Sequence, residues 1–320
     1  MINPDLLSNT AYLATIALLC IGFATSSAHA ETKDEMNEQF AVGAGGVLIV
    51  DVNDGDVEVS THNGEGVTVQ VLRKARAEDA ESEREMLEAH EVKIERDGEK
   101  VSVWARMRED YNERMQKSYS YNRNLSVRFI IVVPSRFTAD LKSSDGNISV
   151  QGLQGDLSAR SSDGNFELEG VRGTIGIRSS DGNLVLRACA GTLKADTSDG
   201  DIVVDDFDGP VSLQTSDGTI HVQGTTRTVQ AQSSDGDVNV SFAVAPDGDC
   251  HLQTSDGSVI ATLGKGMALS IDGKTGDGRI KSELPIAGEL KKSRVWGDIN
   301  GGGPTLSLRT SDGDITLKEK

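Results

Sequence analysis

Lys142 to Gly170 reads KSSDGNISVQGLQGDLSARSSDGNFELEG, and SSDGN stands in it twice, 18 residues apart. Working outward, Asp-Gly recurs at Asp145, Asp163, Asp181, Asp199, Asp217 and Asp235, each step 18 residues long. Asp256 and Asp277 follow at steps of 21, and Asp312 comes after a longer insertion. A fixed period of this length marks a stacked array of equivalent units.

Counting from each Asp shows what a unit contains. Three positions on stand Ile148, Phe166, Leu184, Ile202, Ile220, Val238, Val259 and Ile280; five positions on stand Val150, Leu168, Leu186, Val204, Val222, Val240 and Ala261. The residue between them is usually polar, so the period is two and one face of a strand is buried. The pattern returns later in the unit, at pairs such as Leu157 and Ala159, Ile175 and Ile177, or Val211 and Leu213. Each unit therefore holds two short strands and two corners. One corner is SSDG or TSDG, where Gly supplies positive φ and the Ser and Asp side chains accept backbone N–H groups. The other corner, which carries Gly152 and Gly155, Gly170 and Gly173, then Gly191 and Gly209, places Leu153, Val171, Cys189 or Phe207 as a plug for the coil.

A lone unit cannot bury its apolar face, whereas stacking copies in register can. Antiparallel hairpins would not need like residues to meet position by position. The identical columns thus predict an all-β chain with a parallel β-solenoid (β-helix), right-handed, built of 18–21-residue coils over residues 141–320. Cys189 and Cys250 fall about three coils, roughly 14 Å, apart at the inter-strand spacing. A disulfide needs Cα atoms within about 7 Å, so two free, buried thiols are expected.

Residues 31–140 follow the same grammar loosely and read as an irregular β-rich cap with one short helix near 78–91. Arg108 to Asn124, REDYNERMQKSYSYNRN, carries three of the chain's four tyrosines. It reads as a mobile surface insertion. As a ligand-contacting loop its anchors would be Tyr111, Arg114, Tyr119, Tyr121 and Arg123. At the far end one more coil is expected to finish the stack, with Lys318 to Lys320 protecting its edge.

Aromatic residues are 4% of the 320 positions and glycine fills 35, which suits many tight turns rather than a bulky core. The net charge of −18, with no basic block, argues against nucleic acid as a partner. The apolar run AYLATIALLCIGFA (Ala11 to Ala24), then TSSAHA, then charged residues, reads as a signal peptide over 1–30. The chain is therefore expected to be exported, to the periplasm, the cell surface or the medium, with no membrane insertion after cleavage.

FIIVVPSRFTADLKSSDG followed by SSDGNISVQGLQGDLSARSSDGN resembles the bacterial "putative-adhesin" family of β-strand repeats of unknown function. Val133-Pro134, Leu141-Lys142 and Ser144 to Gly146 match that family's order of motifs. The resemblance covers about residues 40 to 317. It implies a parallel β-helix and a cell-envelope address, and brings no catalytic residues.

The Asp column invites a site. Carboxylates stacked about 4.8 Å apart repel by roughly 0.9 kcal/mol per pair even in water. A calcium stripe along Asp145, Asp163, Asp181, Asp199, Asp217 and Asp235 would offset this; so would N–H bonds accepted within each corner. The nonapeptide rhythm of calcium-binding solenoids is absent, and no cofactor is expected. Neither a Ser-His-Asp set nor a His-metal spacing is present, and His221 and His251 belong to different strands of the coil. The outward residues Val185, Val203, His221 and Asn239 make a mildly apolar strip suited to an extended polymer or a protein edge. The expected function is a non-enzymatic, adhesin-like binding or scaffold module whose partner is an envelope or surface protein or a polysaccharide. The other readings are a polysaccharide-active β-helix enzyme and an accessory to a membrane protein.

Overall fold

In the computed structural model, which describes residues 31–117, 124–224 and 226–320, each repeat makes one coil of two strands. The strand after each Asp-Gly corner joins one sheet, called A: Phe166–Glu169, Leu184–Arg187, Ile202–Asp205 and Ile220–Gly224 lie side by side, parallel and in register. Phe166 faces Ile148 and Leu184, and Ile202 faces Leu184 and Ile220. The second strands, such as Leu157–Arg160 and Arg172–Arg178, form sheet B in the same way. Among the described residues sheet A has 13 strands and sheet B 14.

Like meets like down every inner column because burial rewards it. Ile148, Leu184, Ile202, Ile220 and Val238 are each 0% exposed. Leu153, Val171, Cys189 and Phe207 fill the interior from the second corner. Each such aliphatic or aromatic side chain contributes about 1.5–3 kcal/mol on burial. Cys189 and Cys250 are buried free thiols, as their separation required.

The Asp-Gly corner works differently from its sequence reading. Gly164, Gly182 and Gly200 are not among the glycines with left-handed φ. What excludes a side chain there is the next coil: a Cβ on Gly164 would lie 1.9 Å from the Gly146 carbonyl oxygen. The first Ser or Thr of the corner points inward and ties the coils together. Thr215 Oγ1 sits 3.0 Å from Ser198 O and 3.1 Å from Gly200 O one coil away, and accepts the Gly218 N–H at 3.2 Å. The residue after Gly adds an outer ladder, in which Asn147 Oδ1 accepts from the Asn165 backbone N–H at 3.0 Å and its side-chain amide at 3.1 Å.

Parallel stacking also begins well before residue 141. The chain enters with β1 (Thr32–Phe40), then β2 (Val47–Val52) and β3 (Asp56–His62), which make a coil. β4 (Val67–Arg76), helix α1 (Ala80–Ala89) and β5 (His90–Asp97) follow; β6 (Lys100–Met107), helix α2 (Glu109–Lys117) and β7 (Asn124–Pro134) form another coil, and β8 (Thr138–Lys142) with β9 (Ile148–Gln151) the next. Spatial order departs from chain order: β2 lies parallel between β6 and β8, and β3 between β7 and β9. Antiparallel β4 and β1 end sheet A on this side, and antiparallel β5 ends sheet B.

Helix α1 falls inside the expected 78–91 segment. Asp79 caps it by accepting the Ser82 N–H at 2.7 Å, and Glu81 and Glu83 suit the positive end of the helix dipole. Arg73 staples the cap: its guanidinium, 8% exposed, meets Asp34 of β1 and donates to Leu87 O at 2.8 Å and His90 O at 2.7 Å. The structure adds a second helix. The expected mobile insertion at 108–124 carries α2, whose Tyr111 is 3% exposed and packs with Ala77, Met86 and Ala89. Burial of the Tyr111 ring docks the start of the helix on the cap.

The other end repeats the displacement. The last coil, Thr305–Arg309 with Ile315–Glu319, lies between the coil Cys250–Gln253/Val259–Leu263 and the coil Leu269–Lys274/Ile280–Ser282. Lys318 to Lys320 therefore do not guard an edge. The true edge of sheet A is Ile280–Ser282, three residues long, and shortness is its protection. Sheet B ends in antiparallel Arg294–Ile299 and Ala287–Leu290.

Candidate functional site

The corner carboxylates of Asp145, Asp163, Asp181, Asp199, Asp217 and Asp235 all point to solvent. The hydrogen-bonding work of the corner is done by its neighbours, the inward hydroxyl two residues before and the Asn or Asp two residues after. Among the described residues no three His, Cys, Asp or Glu side chains come together as a metal site. Asp54, the same corner one coil before Asp145, stands apart. Its pKa is raised by burial of the carboxyl, then by a hydrogen bond to Asp145 and that neighbour's charge.

Of the loop anchors read from sequence, Tyr111 is a core residue of the cap. Arg114 pairs with Glu85 at 2.8 Å and lies over the Tyr111 ring. Tyr119, Tyr121 and Arg123, like the signal-peptide segment 1–30, lie outside the described residues. His221 stands half-buried on the outer face of sheet A and His251 exposed on that of sheet B. His90 is buried in the cap, where burial and then the Arg73 charge lower its pKa to about 4.

What the fold presents outward is two ruled surfaces. On sheet A, Glu58, Ser149, Glu167, Val185, Val203 and His221 occupy one line across consecutive strands. At its N-terminal part a shallow groove of about 510 Å³ is lined by Glu58, Asn147, Ser149, Glu167, Val185 and Arg187. Arg187 Nη1 donates to Glu167 Oε1 at 2.7 Å across its floor.

On sheet B the corresponding line is Lys142, Arg160, Arg178, Asp196, Gln214 and Gln232. Beside it a notch of about 110 Å³ opens over Gly176. Sequence reading missed this line, although its signal is plain: it is the residue immediately before each [ST]SDG corner. Attention to the corner itself hid it. No helix of the described residues is long and apolar enough to cross a membrane.

Among solved structures, the chain is similar to a "putative adhesin" from Parabacteroides distasonis ATCC 8503, with 14% identity, 90% of this chain and 97% of that one covered, and a TM-score of 0.41. A "putative adhesin" from Parabacteroides merdae ATCC 43184 matches at 13% identity over 89% and 96% of the two chains, TM-score 0.41. A "putative lipid binding protein" from Parabacteroides distasonis ATCC 8503 matches at 10% identity over 89% and 96%, TM-score 0.38. No curated protein matches. A family model covers residues 47–318, from the first residue of β2 into the intercalated last coil, and by that span the chain belongs to the Toastrack family of domains of unknown function, DUF4097.

Proposed function

We propose that the chain is an exported, non-enzymatic binding module of the cell envelope, working through the outer faces of its two sheets. The observation that carries this is the division of labour along each strand. Inward positions repeat a few aliphatic types from coil to coil, while outward positions on the same rigid frame run through Glu, Ser, Val, His and Asn. A frame that fixes spacing and leaves the outer side chains free to vary suits recognition of an extended partner, because little ordering entropy is lost on binding. The apolar run at 11–24 followed by a small-residue step supports export.

The test is a pull-down from the native envelope fraction, comparing the protein with variants altered on the outer line of each sheet. Capture of one glycan or surface protein, lost in an outer-face variant and without release of cleaved sugar, is the expected result. Steady release of shortened oligosaccharide would replace the binding module by an enzyme. Co-purification of a single membrane protein, unaffected by either outer-face variant, would make the chain an accessory subunit instead.

A further inference from the structure

Lys142, Arg160 and Arg178 stand directly opposite one another on β8, Leu157–Arg160 and Arg172–Arg178. Like charges in register destabilise a sheet. Several other outward arginines are held closely by carboxylates: Arg187 lies 2.7 Å from Glu167, Arg227 lies 2.9 Å from Asp208, and Arg309 is hydrogen-bonded to Asp272. In this row the acids stand off. Lys142 is 3.7 Å from Asp51, Arg160 is 3.8 Å from Asp140 and Arg178 is 3.5 Å from Asp196; Lys194, beside the row, is 4.0 Å from the same Asp196. Among the described residues no hydrogen bond from these four side chains accompanies the ion pairs, so their donors remain available.

Gly176 is a second, independent observation. It sits in the interior of a strand, between Ser158 and Lys194 of the neighbouring strands, where glycine weakens a sheet. Nothing in the packing demands it. A Cβ there would meet only Leu157 O, at 3.9 Å, and its φ is not left-handed. Its effect is the notch, lined by Ser158, Arg160, Arg178, Lys194 and Asp196 and of about 110 Å³, room for a carboxylate or sulfate with water. Farther along the stack the same face carries uncharged hydrogen-bonding groups, Ser212, Gln214, Gln230 and Gln232.

We propose that this face of sheet B binds an acidic polysaccharide, a glycan bearing carboxylates or sulfate esters, laid along the stacking axis. Its anionic groups sit over Arg160, Arg178 and Lys194, at about the 4.8 Å strand spacing, and its hydroxyls meet the Ser and Gln side chains beyond. Of the large exposed apolar residues, Val244 follows the strand Val238–Phe242 of sheet A, and Leu290 and Trp296 stand on the last two strands of sheet B, several strands beyond this row, so the stretch from Lys142 to Gln232 itself lacks the apolar anchors of a lipid-binding surface. No aromatic side chain stands in the row from Lys142 to Gln232 to stack a base; Trp104 continues it on the far side of Asp51, where Lys93 and Arg106 lie over its ring. This site rests on, and sharpens, the reading of the chain as a binding module.

The experiment measures binding of the protein to polygalacturonate, dextran sulfate, unsubstituted dextran and anionic phospholipid vesicles. R160Q/R178Q and, separately, G176Q are compared with R227Q, whose arginine is also exposed and lies off this row. Far-UV spectra and melting temperature check that each variant folds. At least one acidic polymer is expected to bind and dextran not to. R160Q/R178Q is expected to lose about tenfold or more in affinity, since each lost charge-assisted bond carries more than a factor of ten when fully made. G176Q is expected to weaken binding by filling the notch, R227Q to leave it unchanged, and salt at about 500 mM to weaken it. Equal binding by all variants, equal binding of dextran, or binding of vesicles alone would overturn the site. If neither acidic polymer binds while the envelope pull-down still captures a partner, this inference falls and the binding-module reading stands. If both fail, both fall.

Discussion

Gly200→Ala tests the stacking itself. Gly200 lies on Gly182, and a Cβ added to it would be 2.0 Å from the Gly182 carbonyl oxygen, 2.6 Å from its carbon and 3.1 Å from Asn183 N. Real Cβ contacts essentially never fall below 3.0 Å, so the two coils must part locally by about 1 Å. Bonds that cross the gap are Ser198 N–H to Ser180 O at 2.9 Å, Asp199 N–H to Ser180 O at 3.0 Å and Thr197 Oγ1 to Gly182 O at 3.2 Å. Overpacking costs about 1–3 kcal/mol. Losing the net value of two hydrogen bonds adds about 0.5–1.5 kcal/mol each. The expected destabilisation is about 2–6 kcal/mol, read from urea unfolding followed by circular dichroism. Gly266 is the control: its φ is +76° and an added Cβ meets nothing within 4 Å. Gly266→Ala is expected to cost about 1–2 kcal/mol, and Gly266→Asn less, because Asn tolerates left-handed backbone. At Gly200 the order reverses, and Asn is no better than Ala. A Gly200→Ala cost below about 1 kcal/mol, or a milder Gly200→Asn, would refute the argument from close approach.

Thr215→Val removes the hydroxyl that serves Gly218 N–H and two carbonyls of the next coil, and is expected to cost about 1–3 kcal/mol in the same assay, with Thr215→Ser within about 1 kcal/mol of the parent. His90 is held neutral in the fold, its pKa lowered from 6.5 to about 4, so between those values the unfolded chain holds one proton more. Its contribution is complete above about pH 6.5 and is lost as the pH falls toward 4; from pH 7 to 5 the protein should lose about 2 kcal/mol more stability than H90Q. Burial pushes both thiols up, so Cys189 and Cys250 should resist a thiol-specific reagent in the folded protein and react together on unfolding. Ending the chain at Pro304 empties the slot between Val259–Leu263 and Ile280–Ser282, and should expose dye-binding apolar surface and lower the melting temperature by more than 10 °C, roughly the effect of losing several buried aliphatic side chains.

How much of this was legible depended on whether a feature was repeated. Ile202, Val204, Leu213 and their copies gave strand, face and register because the same local physics recurs in coil after coil, and each repeat confirms the others. The ends have no such redundancy. VLIVDVNDG carries the three-and-five spacing of a coil, yet nothing in it says that this coil will lie between two later ones. Helix α2 hid for another reason. Its buried Tyr111 sits among charged residues, and burial of that ring in the cluster with Met86 and Ala89 of α1 is tertiary information. The corner glycines were placed correctly but for the wrong cause, since sequence shows where Gly is and not whether φ or a neighbour's carbonyl requires it. The basic row on sheet B was readable at Lys142, Arg160 and Arg178, but its meaning needed Gly176, whose freedom from packing constraint only coordinates reveal.

The displaced coils answer a problem that every solenoid has. Stacked repeats fray from the end, because the last coil is paired on one side only. Here the C-terminal coil, Thr305–Arg309 with Ile315–Glu319, is paired on both sides in both sheets, so peeling it away breaks two rows of backbone bonds per strand rather than one. The coil outside it, Leu269–Lys274 with Ile280–Ser282, has the one-sided pairing in sheet A, but it is tethered at both ends by chain that runs into the stack and is covered in sheet B by Arg294–Ile299. The first coil is treated likewise, with β2 and β3 each held between two parallel neighbours while β1 and β5 form the antiparallel borders. This arrangement fixes an order of assembly. The outermost coil can take its final place only when Thr305–Arg309 and Ile315–Glu319 arrive between it and the coil before, so this part of the stack closes only after those later residues have been made.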